Sequence, residues 1–152
     1  MRILFVDAGN YCRSPAAEAV ARRLARESVL AGSVSFASAG LKDKHAGDTA
    51  DPRTIAACAA RGYDLGGFRC REITPQDFAG SALILAMDRE NLAQLEVRRP
   101  AGNATPVELL LGDREVPDPY FGEADGFALM MDQLEAGVRA LLARLASEAR
   151  RD

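Results

Sequence analysis

Arg13 stands directly after a Gly9-Asn10 loop and directly before Ser14-Pro15. The apolar run that ends in Phe5-Val6-Asp7 feeds this loop. A strand that stops, a short Gly-containing turn and a helix start aim backbone N–H groups at one point, which makes an anion site. The guanidinium of Arg13 adds a planar fork that matches phosphate oxygens. The segment Ala8, Gly9, Asn10, Tyr11, Cys12, Arg13 and Ser14 is therefore the candidate phosphate-binding loop. Asn10 tolerates positive φ and can hold such a loop open with its side chain.

Phosphoryl transfer needs an in-line nucleophile, donors for the equatorial oxygens and an acid for the leaving oxygen. The loop supplies the donors. The residue at the strand end, where a nucleophile would meet the bound phosphate, is Asp7. Its carboxylate is long enough to accept the loop N–H groups and Arg13 itself, so the chain is expected to occupy part of its own cradle. An acyl-phosphate role for Asp7 would call for Mg²⁺ and further carboxylates, and no acidic cluster adjoins it. Asp118, in Pro117-Asp118-Pro119-Tyr120, is the candidate acid, although Asp before Pro also marks ordinary turns. Tyr120 offers an aromatic wall to a ring-bearing substrate.

These residues need a scaffold that brings them to one edge. Four apolar runs, Arg2–Val6, Val34–Ala37, Ala82–Met87 and Pro106–Leu111, read as strands buried on both faces. Helical patterns alternate with them. One runs from Pro15 to about Leu30, with Ser14 as N-cap and Pro15 at the first helical position. A second starts at Asp51-Pro52 and ends near Gly62, and a short one starts at Thr74-Pro75. Asp88 caps a fourth through Leu95. Phe127, Met130, Met131, Leu134, Val138, Leu141, Leu142 and Leu145 form the apolar stripe of the last helix. This alternation predicts a doubly wound α/β sheet. The polar loop Asp113 to Gly122 follows the fourth strand and so emerges at the same edge as the phosphate loop.

The chain resembles the low-molecular-weight protein tyrosine phosphatases, whose signature is Cys, five residues, Arg, then Ser-Pro. Gly9, Asn10, Cys12, Arg13, Ser14 and Pro15 match, and Asp7 stands in place of the first Cys. Ser38-Ala39-Gly40, His45, Asp51-Pro52-Arg53, Arg71, Ala86-Met87-Asp88 with Asn91, and Pro117-Asp118-Pro119-Tyr120 carry the similarity along essentially the whole sequence.

The resemblance implies a three-layer flavodoxin-like α/β fold with a four-stranded parallel sheet in the order 2-1-3-4. It implies that the strand-end Cys would attack phosphorus, that Arg13 would bind phosphate, and that Asp118 would protonate the tyrosyl oxygen and then activate water. Catalytic candidates are thus Asp7, Arg13 and Asp118. Candidates for contacting the substrate are Tyr11, Lys44, Tyr120 and Phe121. The implied partners are a phosphotyrosine-containing protein or peptide and inorganic phosphate, with neither cofactor nor metal. Ser14 would support the nucleophile. Cys12 corresponds to a second cysteine that pairs with the nucleophile under oxidation, a pairing that Asp7 forbids. Tyr11 stands where phosphoarginine-specific members carry Thr. Phe68 stands where some members have a His in the loop support.

With Asp7 in that place, turnover is expected to fall by orders of magnitude. Natural replacement and deliberate substitution are equally compatible with Asp7. Two further readings stay open: a non-catalytic phosphoprotein binder on this scaffold, and an arsenate reductase. The second needs a cysteine relay whose spacing Cys58 and Cys70 do not provide.

The bulk properties fit. A chain of 152 residues is long enough for one domain, residues 1–152, with a real core. A net charge of −3 leaves no nucleic-acid footprint, and Arg22, Arg23 and Arg26 read as a solvated helix face. Three irregularly spaced cysteines argue for a reducing compartment, and one His without a CxxC pair argues against zinc. The N-terminal apolar run is too short for a leader or a membrane span, so a cytoplasmic monomer or weak dimer is expected.

Overall fold

The computed structural model describes residues 1–151. Four strands, β1 (Arg2–Asp7), β2 (Ser35–Gly40), β3 (Leu83–Ala86) and β4 (Val107–Leu109), form one parallel sheet in the order β2-β1-β3-β4. Five helices connect or follow them: α1 (Arg13–Arg26), α2 (Pro52–Ala59), α3 (Pro75–Gly80), α4 (Arg89–Arg98) and α5 (Ala124–Ala149). This is the predicted α/β architecture and strand order.

The layers follow from strand periodicity. Successive side chains of β1 point to opposite faces. Ile3 and Phe5 join the cluster that includes Val20 of α1 and Met131, Leu134 and Val138 of α5. Leu4 and Val6 join Phe78 of α3 and Leu95 of α4 on the other face. All four β1 side chains are fully buried, each contributing about 1.5–3 kcal/mol from burial. The α5 stripe predicted from sequence is buried throughout. No described helix is long and apolar enough to cross a membrane.

Several boundaries differ from the predicted ones. β2 continues three residues past Ala37, because ladder pairing with β1 runs on to Asp7↔Gly40 and outweighs the loss of apolar character. α1 begins at Arg13 and its N-cap is Cys12, without a side-chain cap; Ser14 lies inside the helix. It ends at Arg26, where the Ser28 hydroxyl donates to the Ala25 carbonyl and accepts the Leu30 N–H, closing a turn instead of extending the helix. α2 starts as predicted, with the Asp51 carboxylate accepting the Arg53 N–H at 2.8 Å, but its last helical residue is Ala59. α4 runs beyond Leu95 to Arg98. It stops there because Arg99 precedes Pro100 and takes an extended ψ of 126°.

Candidate active site

The loop after β1 folds against Gly40 at the end of β2. A Cβ on Gly40 would come within 2.7 Å of the Gly9 carbonyl carbon and 2.8 Å of the Asn10 nitrogen, so the close approach requires glycine. Asn10 is the sole non-glycine with positive φ among the described residues, at 57°. Its side chain holds that conformation: Nδ2 donates to the Ser14 hydroxyl at 2.8 Å and to the Ser38 hydroxyl at 3.0 Å, while Oδ1 accepts the Arg71 N–H at 2.9 Å. The Ser38 hydroxyl in turn donates to Glu18 Oε1 at 2.8 Å. Burial pushes the Glu18 carboxyl up from its ordinary value, opposed by that bond and by Arg22. Phe68 takes no part in this network; a serine–asparagine–glutamate chain supports the loop.

Asp7 turns into the loop it feeds. Oδ1 accepts the Asn10 N–H at 2.6 Å and Oδ2 accepts the Ser14 N–H at 2.9 Å. The first turn of α1 has an unmet need for acceptors, and the Asp7 carboxylate meets part of it in place of a capping hydroxyl. Asp7 is 3 % exposed. Burial raises its pKa above the ordinary value, opposed by the charge of Arg13 and by the bonds from Ser14 and Asn10.

Arg13 does not hydrogen-bond Asp7, contrary to expectation. Its Nη1 donates to Asp88 Oδ2 and to the Val116 carbonyl, both at 2.8 Å. Asp88 thereby serves twice, since its Oδ1 also caps α4 through the Asn91 N–H at 2.7 Å. Nη2 lies 3.8 Å from Asp118 Oδ2. Nε is buried without a partner, a costly state for a donor on a charged group. One edge of the fork is therefore fixed to the protein, and the other retains donor capacity.

Asp7, Ala8, Gly9, Tyr11, Cys12, Arg13, Lys44, Asp118, Tyr120 and Phe121 line one cavity of about 170 Å³. Asn10 and Ser14, the remaining loop candidates, sit behind it as buried support. Lys42 and His45 also line it. Tyr11 stacks on His45, with centroids 3.7 Å apart and planes 2° from parallel, and Tyr120 tilts across from Tyr11 at 6.0 Å. Arg53 fixes Tyr120: its guanidinium lies 5.3 Å from the ring centroid and donates to the Tyr120 carbonyl at 3.2 Å. The Asp118 carboxylate accepts the Tyr120 N–H at 3.0 Å and is partly exposed. Lys44 Nζ is 6.0 Å from the Tyr120 ring centroid, and Phe121, 89 % exposed, stands at the rim.

Cys12 is buried, and burial pushes its thiol up to about 12. Sequence reading assigned no site role to Asp88, Lys42, His45 or Glu18. The β3-to-α4 turn offered a signal for Asp88, because parallel sheets gather ligand contacts at the carboxyl ends of their strands.

The model for low molecular weight phosphotyrosine protein phosphatases matches residues 2–151, and the chain belongs to that family. A low molecular weight protein-tyrosine-phosphatase of Streptomyces coelicolor is 39 % identical, over 93 % of this chain and 92 % of the relative. A solved protein tyrosine phosphatase of Entamoeba histolytica, with Hepes in its active site, superposes with a TM-score of 0.91 at 34 % identity, covering 98 % and 99 % of the two chains. A Drosophila arginine phosphatase superposes with a TM-score of 0.89 at 30 % identity, covering 95 % and 98 %.

Proposed function

We propose that this chain is a tyrosine-phosphatase scaffold that cradles a phosphate monoester at the Ala8–Ser14 loop, with turnover held down by Asp7. The carrying observation is that the Asp7 carboxylate accepts the Asn10 and Ser14 N–H groups. Those donors would otherwise serve phosphate oxygens. A phosphoryl group entering the loop meets a cradle that the Asp7 carboxyl already part fills.

The remaining machinery has a consistent assignment. The unpartnered Nε of Arg13 and its Nη2 face the demand of two phosphate oxygens. Asp118, at the rim beside Tyr120, serves as the acid for the leaving oxygen. Tyr11 and Tyr120 flank a phosphotyrosine ring, with Lys44 and Phe121 at the mouth. A thiolate at position 7 would form a bond to phosphorus as the bond to the tyrosyl oxygen breaks, and Asp118 would give that oxygen its proton. Water, deprotonated by Asp118, would then form a bond to phosphorus as the bond to sulfur breaks, returning the thiolate and releasing phosphate. The arsenate-reductase reading is disfavoured, because Cys58 and Cys70 are buried and their thiols are pushed up to about 12 and about 11.

The test is steady-state hydrolysis of p-nitrophenyl phosphate by this chain and by Asp7→Cys. Turnover confined to the Asp7→Cys form supports the reading. Two folded but inert proteins that both bind a phosphotyrosine peptide would replace it with a binding module.

A further inference from the structure

A second group of side chains converges on a groove separate from that cavity. Arg2 of β1, Arg22, Arg23 and Arg26 of α1, and Arg69 and Arg71 of the segment before α3 line one groove of about 590 Å³. Glu18 and Asp64 are its lining carboxylates. The lining thus carries a formal +4 in a chain whose net charge is −3. No residue lines both the groove and the loop cavity.

Part of this charge is balanced by acids. Glu18 pairs with Arg22 at 3.0 Å, Glu27 with Arg23 at 2.9 Å, and Asp77 with Arg71 at 2.9 Å and with Arg2 at 3.3 Å. Arg69 donates to the Phe68 carbonyl, and neither Arg26 nor Arg69 meets a carboxylate within 4.0 Å among the described residues. Crowding guanidinium groups in a concave site raises the local potential and opposes the compact state, and a bound anion relieves that cost. Planar forks select phosphate-type oxygens, and they do so in pairs. Arginines spread around a volume in the small-molecule range suit several linked phosphate groups better than one.

We propose that this groove is a second anion site, which takes a compact polyphosphate of the di- or triphosphate kind. The inference does not depend on the role given to Asp7. The groove also touches the loop from behind. Its lining residues Ser38 and Arg71 are the two that hold the Asn10 side chain from outside the loop. Occupancy of the groove is therefore read at Asn10 as well as at the arginines.

The test titrates the full chain with inorganic tripolyphosphate in metal-free buffer, by calorimetry and by amide NMR. The expected result is one saturable site with shifts at Gly66, Gly67, Arg69 and the Asn10 side-chain amide. Arg26→Gln/Arg69→Gln should weaken it about tenfold or more. Both side chains are at the surface, and Arg69→Gln alone serves if the double variant is unstable. Absence of saturable binding overturns the proposal. So does equal affinity in the variants, or a shift pattern confined to Ala8–Ser14, which would put the ion in the loop cavity.

Discussion

Asn10 donates to the Ser14 hydroxyl at 2.8 Å from a backbone held at φ 57°, so the loop's least favourable conformation is secured by the first turn of the helix it leads into. This one buried side chain makes three hydrogen bonds, two donated by Nδ2 and one accepted by Oδ1. Asn10→Ala removes them and retains a Cβ at positive φ, and should cost about 2–4 kcal/mol. Asn10→Gly, which tolerates the φ, should cost less. Urea unfolding checks both; an Ala variant as stable as the parent would show that the network does not hold the loop.

Anion binding should depend on pH through Asp7. Its pKa is raised in the folded state, so the folded chain binds the proton more tightly than the unfolded one. The stabilisation from that proton is full below the ordinary carboxylate range and is lost as pH rises through the raised value. Sulfate keeps its charge across this window. Its affinity for the loop should strengthen as pH falls and Asp7 becomes neutral, while Asp7→Ser should bind sulfate more tightly with a flatter profile. Calorimetry at a series of pH values measures this, and identical profiles for the two proteins would remove Asp7 from the cradle.

Native thiol reactivity should be low. Burial holds Cys12 and Cys58 at about 12 and Cys70 at about 11, so little thiolate is present near neutral pH. Iodoacetamide at pH 7 should label the folded chain slowly. In Asp7→Cys the new sulfur would sit where the Asn10 and Ser14 N–H groups and Arg13 favour an anion, and it should label first. Mass spectrometry of digests distinguishes the sites; rapid labelling of Cys12 in the parent would contradict the burial argument.

Asp118 can be tested in the Asp7→Cys background. General acid catalysis contributes about 10²–10⁴-fold, and most where the leaving group is poor. Asp118→Asn should therefore slow phenyl phosphate far more than p-nitrophenyl phosphate. An equal loss on both substrates would place Asp118 in structure and not in proton transfer.

Much of the scaffold was legible in the sequence. The α5 stripe follows from hydrophobic period, a repeated local signal, whereas the strand order was implied by the resemblance alone. Acceptance of loop N–H groups by Asp7 was legible, but the start of α1 was misplaced: Ser14 read as its N-cap, whereas the helix begins at Arg13 and Asp7 takes the Ser14 N–H. The extension of β2 through Ser38-Ala39-Gly40 was missed because a polar, small-residue segment reads as loop until its partner strand is known. Arg13 and Asp88 stand 75 residues apart, so their pairing is set by the sheet and not by local pattern, although the position of Asp88 at a strand's carboxyl end was a signal. Arg22, Arg23 and Arg26 read as a solvated face, because the convergence of Arg2, Arg69 and Arg71 beside them depends on the sheet.

Gly40 has a consequence for how this chain can change over time. The loop rests against backbone at a distance that excludes any side chain there, so position 40 is closed to substitution. Position 7 is its register partner on β1, and its side chain enters a frame built by other residues. Shape and side-chain chemistry are thus inherited at separate positions: a lineage can exchange the group at position 7 while the mould around it persists, and a change at the mould's wall would forfeit the frame for whatever group stands there.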